Sequence, residues 1–332
     1  MRNVLRSAAT LVLGCALAAS VSIAAQTQGG AVPTVIVGAS PSTDMSLMII
    51  AVKKGFLAKE GLDAQLQLFD SSPGALQGVV AGRADITANT EPPQLAARAR
   101  GGRIVQVMTG YLSGRINGSV VNAPAIKKPQ DFIDKAIGVQ RGSGANYHLA
   151  WFLSHNHIPT DKVSVKYMDA PDQIPALARG DIQAFFSWEP FLTKASDTVP
   201  NAKLYSRTID DGFVFAGNVA MREDMAKNHK DVAVKVVKGL IAAADWMTAN
   251  PLEAAKVANE VLKAPSVDEV AKQIQYLKWP GDFHRKAVDQ EVSIAEWGVG
   301  IGLFPAKDAK KLVGDLVYPA IIKEAAPGRT DL

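Results

Sequence analysis

The stretch Ile137–Leu149 reads Ile-Gly-Val-Gln-Arg-Gly-Ser-Gly-Ala-Asn-Tyr-His-Leu: a strand-type run, two glycines around one serine, then a helix-type run. Gly142 and Gly144 let backbone approach a ligand closely. The first N–H groups of a helix have no partner within it. With the Ser143 hydroxyl, they aim donors at one place, which suits an anion. The spacing is not that of a dinucleotide loop, because Tyr147 stands where G-x-G-x-x-G needs its third glycine. The plain structural alternative is a helix N-cap by Ser143.

Three other strand-end loops carry polar side chains. Ser40-Pro-Ser42-Thr43-Asp44 offers hydroxyls that cap a helix or meet a ligand. Asn89-Thr90-Glu91-Pro92-Pro93 combines amide, hydroxyl and acid just where prolines suit a first helical turn. Ser187-Trp188-Glu189-Pro190 places an aromatic wall beside an acid. Asn218 lies in the apolar run Phe213–Met221. The expected ligand-contacting set is therefore Ser42, Thr43, Asn89, Thr90, Glu91, Gly142, Ser143, Gly144, Asn146, Trp188, Glu189 and Asn218. Were Glu91 and Glu189 to face the ligand, a zwitterion would be favoured; were they to face solvent, a simple anion would.

Catalytic signatures are missing: G-x-S-x-G, G-x-x-x-x-G-K-[ST] and H-E-x-x-H do not occur. His155 and His157 form the one close histidine pair and are expected on the surface, not on a metal. No carboxylate spacing marks an acid/base pair. We expect no catalytic residue, no metal and no cofactor.

These loops need a scaffold that lines up strand ends. Thr34–Val37, Ala64–Phe69, Ala84–Thr87 and Ile104–Met108 read as strands alternating with helices. A second block repeats the alternation, with strands Ala136–Val139, Val163–Tyr167 and Ile182–Phe186 and helices near 145–155, 174–179 and 191–195. From His229 the pattern is almost wholly helical, with stretches near 251–263, 267–277 and 284–300. Alternation of this kind predicts α/β sheets covered by helices, with ligands beyond the carboxyl ends of the strands.

Met1–Arg6 is cationic, and an Ala-rich apolar run follows to Ala25. This is the layout of an export signal, residues 1–25, cleaved near Ala24 or Ala25. A lipoprotein anchored on Cys15, the one cysteine, is the less favoured alternative. Removing Arg2 and Arg6 leaves 34 basic against 32 acidic residues, a net +2 with the signs interspersed. That gives little support for nucleic-acid binding, which wants a concentrated basic face.

Several stretches together resemble the periplasmic substrate-binding proteins of ABC importers, in the nitrate/sulfonate/bicarbonate class that includes taurine and alkanesulfonate binders. They are Ala51–Asp63, Gly78–Ile86, Gly142-Ser143-Gly144, Arg179–Ala184 and Trp188-Glu189-Pro190. The resemblance implies a two-lobed, type II-like α/β periplasmic-binding-protein fold with two crossover strands and a helical C-terminal tail. It places 33–118 and 219–332 in lobe 1 and 119–218 in lobe 2, with crossings near Asn117–Asn122 and Phe213–Val219. It further implies a periplasmic monomer that binds a small anion or zwitterion, such as a sulfonate, without turning it over. A permease in the inner membrane would be the partner. The alternative is a secreted enzyme or sensor holding an aromatic acid or pyrimidine precursor in the same cleft.

Overall fold

The computed structural model describes residues 32–332; the expected export signal and Cys15 lie outside them. The chain begins with strand β1 (Thr34–Ala39), a 3-10 turn at Thr43–Met45, and helices α1 (Ser46–Lys53) and α2 (Phe56–Lys59). Leu47 to Ala51 are all buried, because α1 is covered by the sheet and by later helices. There follow β2 (Asp63–Leu68), α3 (Ser72–Val80), β3 (Ile86–Thr90), α4 (Glu91–Ala99) and β4 (Ile104–Ser113). Strand β4 runs five residues past the expected end at Met108, through Gly110 and Tyr111.

Next come β5 (Asn117–Asn122), β6 (Ala136–Val139), α5 (Gly144–His155), β7 (Ser164–Tyr167) and α6 (Ala170–Arg179). Then β8 (Ala184–Trp188), α7 (Phe191–Thr198), β9 (Ala202–Arg207) and β10 (Phe215–Arg222) complete the alternation. The tail is α8 (Glu223–Asn228), α9 (Lys230–Ala249), α10 (Pro251–Leu262), α11 (Val267–Ile274), the short β11 (Leu277–Lys278), α12 (Arg285–Gly300), α13 (Ala309–Leu316) and α14 (Ala320–Ala325). Helices α9 and α10 pack on α1, and α12 and α13 pack on α4.

Two sheets result. The first has the order β11-β4-β10-β3-β1-β2, the second β7-β6-β8-β5-β9. Strands β1, β2 and β3 are parallel, and β10 inserts antiparallel between β3 and β4. In the second sheet β6, β7 and β8 are parallel, and β5 lies antiparallel between β8 and β9. Each sheet thus receives one antiparallel strand directly from a crossing.

The chain crosses over residues 114–116 and returns over residues 208–214. Both passages come a few residues before the expected ones. Asn117 and Gly118 already pair in the second sheet, and Phe215 to Asn218 already pair in the first. Strand pairing, which sets the true limits, is non-local and leaves little local trace.

The two passages are tied together. The Ile209 N–H donates to the Gly114 carbonyl at 2.8 Å, and the Arg207 guanidinium donates to the Arg115 carbonyl.

Candidate functional site

A narrow cavity lies where the two sheets present their strand ends. Its walls on one side come from Asp44, Ser72, Asn89, Thr90 and Tyr111. The other side is made by Ile116, Asn117, Ser143, Gly144 and Trp188. Its volume is about 30 Å³, enough for a water-sized group or two. A solute of several heavy atoms enters only if the walls part.

Asp44 supplies the one carboxylate of the lining. Ser42 Oγ donates to its Oδ1 at 2.5 Å and Ser72 Oγ to its Oδ2 at 3.0 Å, while Tyr111 Oη lies 3.4 Å from Oδ2. Tyr111 reaches this point because its ring lies over Gly217, where a Cβ would sit 2.1 Å from it. Burial pushes the Asp44 carboxyl above the usual range, and the hydroxyl donors only partly offset this. Among the described residues no Lys, Arg or His lines the cavity.

The opposite end is the start of α5. Gly144 and Ala145 are its first residues, and among the described residues neither N–H has an acceptor. Ser143 is the N-cap: its Oγ accepts from Asn146 N at 3.2 Å and donates its proton to the Gln140 carbonyl at 2.7 Å. The start of α5 thus offers two N–H groups without acceptors among the described residues, together with the helix dipole, while the Ser143 hydroxyl is engaged within its own turn. Ser143→Ala should lower stability by about 1 kcal/mol through the lost cap. It should change solute affinity by less than about threefold; calorimetric titration and thermal melts of the same sample check both.

The expected residues divide into three groups. Asn89, Thr90, Ser143, Gly144 and Trp188 line the cavity. Among the described residues Thr90 Oγ1 has no hydrogen-bond partner, and Asn89 Oδ1 is buried without one. Ser42, Gly142 and Asn146 stand just behind: Ser42 holds Asp44, and the Gly142 N–H donates to Asn146 Oδ1 at 3.1 Å, closing the turn.

The remaining four lie outside the lining. Thr43 donates to Gln273 of α11 at 2.5 Å. Asn218 accepts from Thr109 at 3.0 Å within the first sheet. Glu189 takes Arg207 at 2.7 Å and both donors of Thr193, so its charge is consumed inside the second sheet.

Glu91, the fourth, turns into the core. It accepts from the Ala216 N–H at 2.9 Å and from Gln290 at 2.8 Å. Neither Glu91 nor Glu189 lines the cavity; Asp44 is the carboxylate that does.

Glu91 has a different consequence. Burial lifts its carboxyl from 4.5 to about 7. Folding thus favours the protonated acid. This contribution is complete below pH 4.5 and is lost as pH rises to about 7. Its size is about 3 kcal/mol. Glu91→Gln keeps an acceptor for Ala216 and cannot ionise. Denaturant unfolding at pH 4.5 and 8 should show a smaller loss of stability in the variant than in the parent.

Residues 42–254 match the family described as NMT1/THI5 like. A chain from Brucella abortus (strain 2308), described as a binding protein without a stated solute, is 28% identical over 66% of this chain and 68% of its own length. The taurine-binding periplasmic protein of Escherichia coli (strain K12) is 25% identical, over 75% of this chain and 73% of its own. Among solved structures, the alkanesulfonate-binding protein SsuA of Xanthomonas axonopodis pv. citri, bound to MOPS, superposes with a TM-score of 0.72 at 18% identity. That superposition covers 86% of this chain and 98% of the other.

Proposed function

The chain belongs to the NMT1/THI5-like family and has the periplasmic-binding-protein fold, and from that premise we propose that it is the periplasmic solute-binding component of an ABC importer. Its solute is a small zwitterion, an amino-sulfonate or amino-carboxylate of about taurine size. One observation carries this choice: among the described residues, a buried carboxylate with no Lys, Arg or His in its cavity shares that cavity with a helix start whose first N–H groups have no acceptor. A simple anion would leave Asp44 uncompensated. A zwitterion brings an ammonium to Asp44 and an acid group to Gly144 and Ala145.

The mechanism is capture without chemistry. Each sheet is the core of one lobe, and the passages at 114–116 and 208–214 are the hinge. Opening exposes the two ends of the site; the solute bridges them, and closure removes it from water. The closed form then docks on a membrane permease. The names carried by similar proteins, taurine and alkanesulfonate binders, support the solute class.

Thermal melts with taurine, β-alanine, ethanesulfonate and nitrate test the proposal. The zwitterions should stabilise the protein, by roughly 2.7 kcal/mol at a hundred times Kd, and should be recovered unchanged. Stabilisation by ethanesulfonate or nitrate equal to that by taurine would refute the zwitterion, and conversion of the solute would refute capture alone.

A further inference from the structure

Strands β4 and β10 border a second cavity, of about 450 Å³, which shares no lining residue with the first. On β4, Tyr111 faces the first cavity and Leu112 the second, as the alternation of strand side chains requires. The volume falls in the range of small-molecule sites. Leu112, Val214, Ala216, Tyr276 and Ala287 make an apolar wall. Ile209, 44% exposed, stands at the rim.

The charges around this wall have one dominant sign. Arg115, Lys278 and Lys286 all line it, and among the described residues none of the three side chains makes an ion pair or a hydrogen bond. The one carboxylate of the lining, Asp282, lies 3.4 Å from His284. Helix α12 starts at the same wall, and the Lys286 N–H has no acceptor among the described residues. Three cations without a charged partner among the described residues thus border a roomy apolar floor, beside the start of a 16-residue helix whose first N–H is held by the Asp331 carboxylate at 2.6 Å.

We propose that this cavity is a second ligand site, for an amphiphilic monoanion: a carboxylate or sulfonate on an apolar body of about ten carbons, a size the cavity admits. The acid group sits among Arg115, Lys278 and Lys286, and the body lies on Leu112, Val214 and Tyr276. Arg115 and Ile209 belong to the two passages between the sheets, so the occupant touches both together with the helical tail. This site is independent of the solute proposed for the first cavity.

The test uses 2-naphthalenesulfonate on the full folded chain, followed by calorimetric titration. Saturable binding is expected, with 2-naphthalenemethanol at least tenfold weaker. Arg115→Glu combined with Lys278→Glu should weaken binding at least tenfold. Both side chains are exposed and unbonded, so the melting temperature should hold; Lys286→Glu serves as a second charge variant. Ala287→Trp, which fills the floor, should abolish binding. Lys203→Glu, at an exposed cation of β9 outside the lining, should leave it unchanged. Absence of saturable binding, affinity within twofold of the parent in both charge variants, or an equal loss in Lys203→Glu would each overturn the proposal.

Discussion

Asp44→Asn should weaken taurine binding by about a hundredfold or more while leaving ethanesulfonate binding nearly unchanged. Truncating one partner of a buried charge pair costs about 2–5 kcal/mol, and about 1.4 kcal/mol is a factor of ten. Asparagine keeps the shape and can still accept from Ser42 or Ser72, which now donate to Asp44 at 2.5 and 3.0 Å. What it lacks is the charge that an ammonium needs. Ethanesulfonate has no ammonium, so in the parent it must approach an uncompensated carboxylate, and the variant removes that repulsion. The parent should therefore prefer taurine strongly, and the variant should lose most of that preference. Titrations of both solutes with both proteins give the four affinities. Equal losses for the two solutes would mean that Asp44 merely supports the wall.

This carboxylate was visible in the sequence but not as a site residue. Asp44 sits in a hydroxyl-rich loop where a capping or solvated acid is the ordinary expectation. Its role depends on Ser72 and Tyr111, 28 and 67 positions away. Glu91 and Glu189 drew notice because they follow strand ends directly. Their partners, Ala216 and Arg207, are 125 and 18 positions away, and those partners turn both acids inward. Thr43 is the extreme case, held by a glutamine 230 positions on. Non-local partners decide which way a strand-end side chain points, and a local pattern does not contain them.

What was legible was local. Strand β6 has its expected limits, Ala136–Val139, and α5 starts one residue before the expected Ala145. A short β-branched run closed by a Gly-Ser-Gly turn leaves few alternatives there. Strand β9 (Ala202–Arg207) was not expected, because its pattern is half polar and its pairing partner β5 lies some 85 residues earlier. The crossings were placed a few residues late for the same reason: a strand that changes sheets keeps its strand-like composition on both sides of the change.

Gly144→Ala should make the protein fail to close. Gly144 begins α5 on the side of the second sheet, and Thr90 ends β3 in the first. A Cβ on residue 144 would lie 2.8 Å from Thr90 Oγ1 and 3.4 Å from the Phe215 ring. The first contact is shorter than real side chains allow, and threonine's short side chain has little room to retreat. Overpacking of this kind costs about 1–3 kcal/mol. The backbone of Gly144 is not in the left-handed region, so alanine fits the helix itself and each lobe should fold normally. The cost falls on the closed form alone, so taurine affinity should drop by about tenfold to a hundredfold, mainly through faster release. Scattering should show the parent compacting at saturating taurine, and the variant compacting only at much higher concentration. Thr90→Ala removes the clashing oxygen, which has no hydrogen-bond partner among the described residues. Adding it to Gly144→Ala should restore most of the affinity, a coupling that two independent losses would not produce. A Gly144→Ala protein that binds and compacts like the parent would mean that the contact between Gly144 and Thr90 persists in the open form, and that closure happens elsewhere.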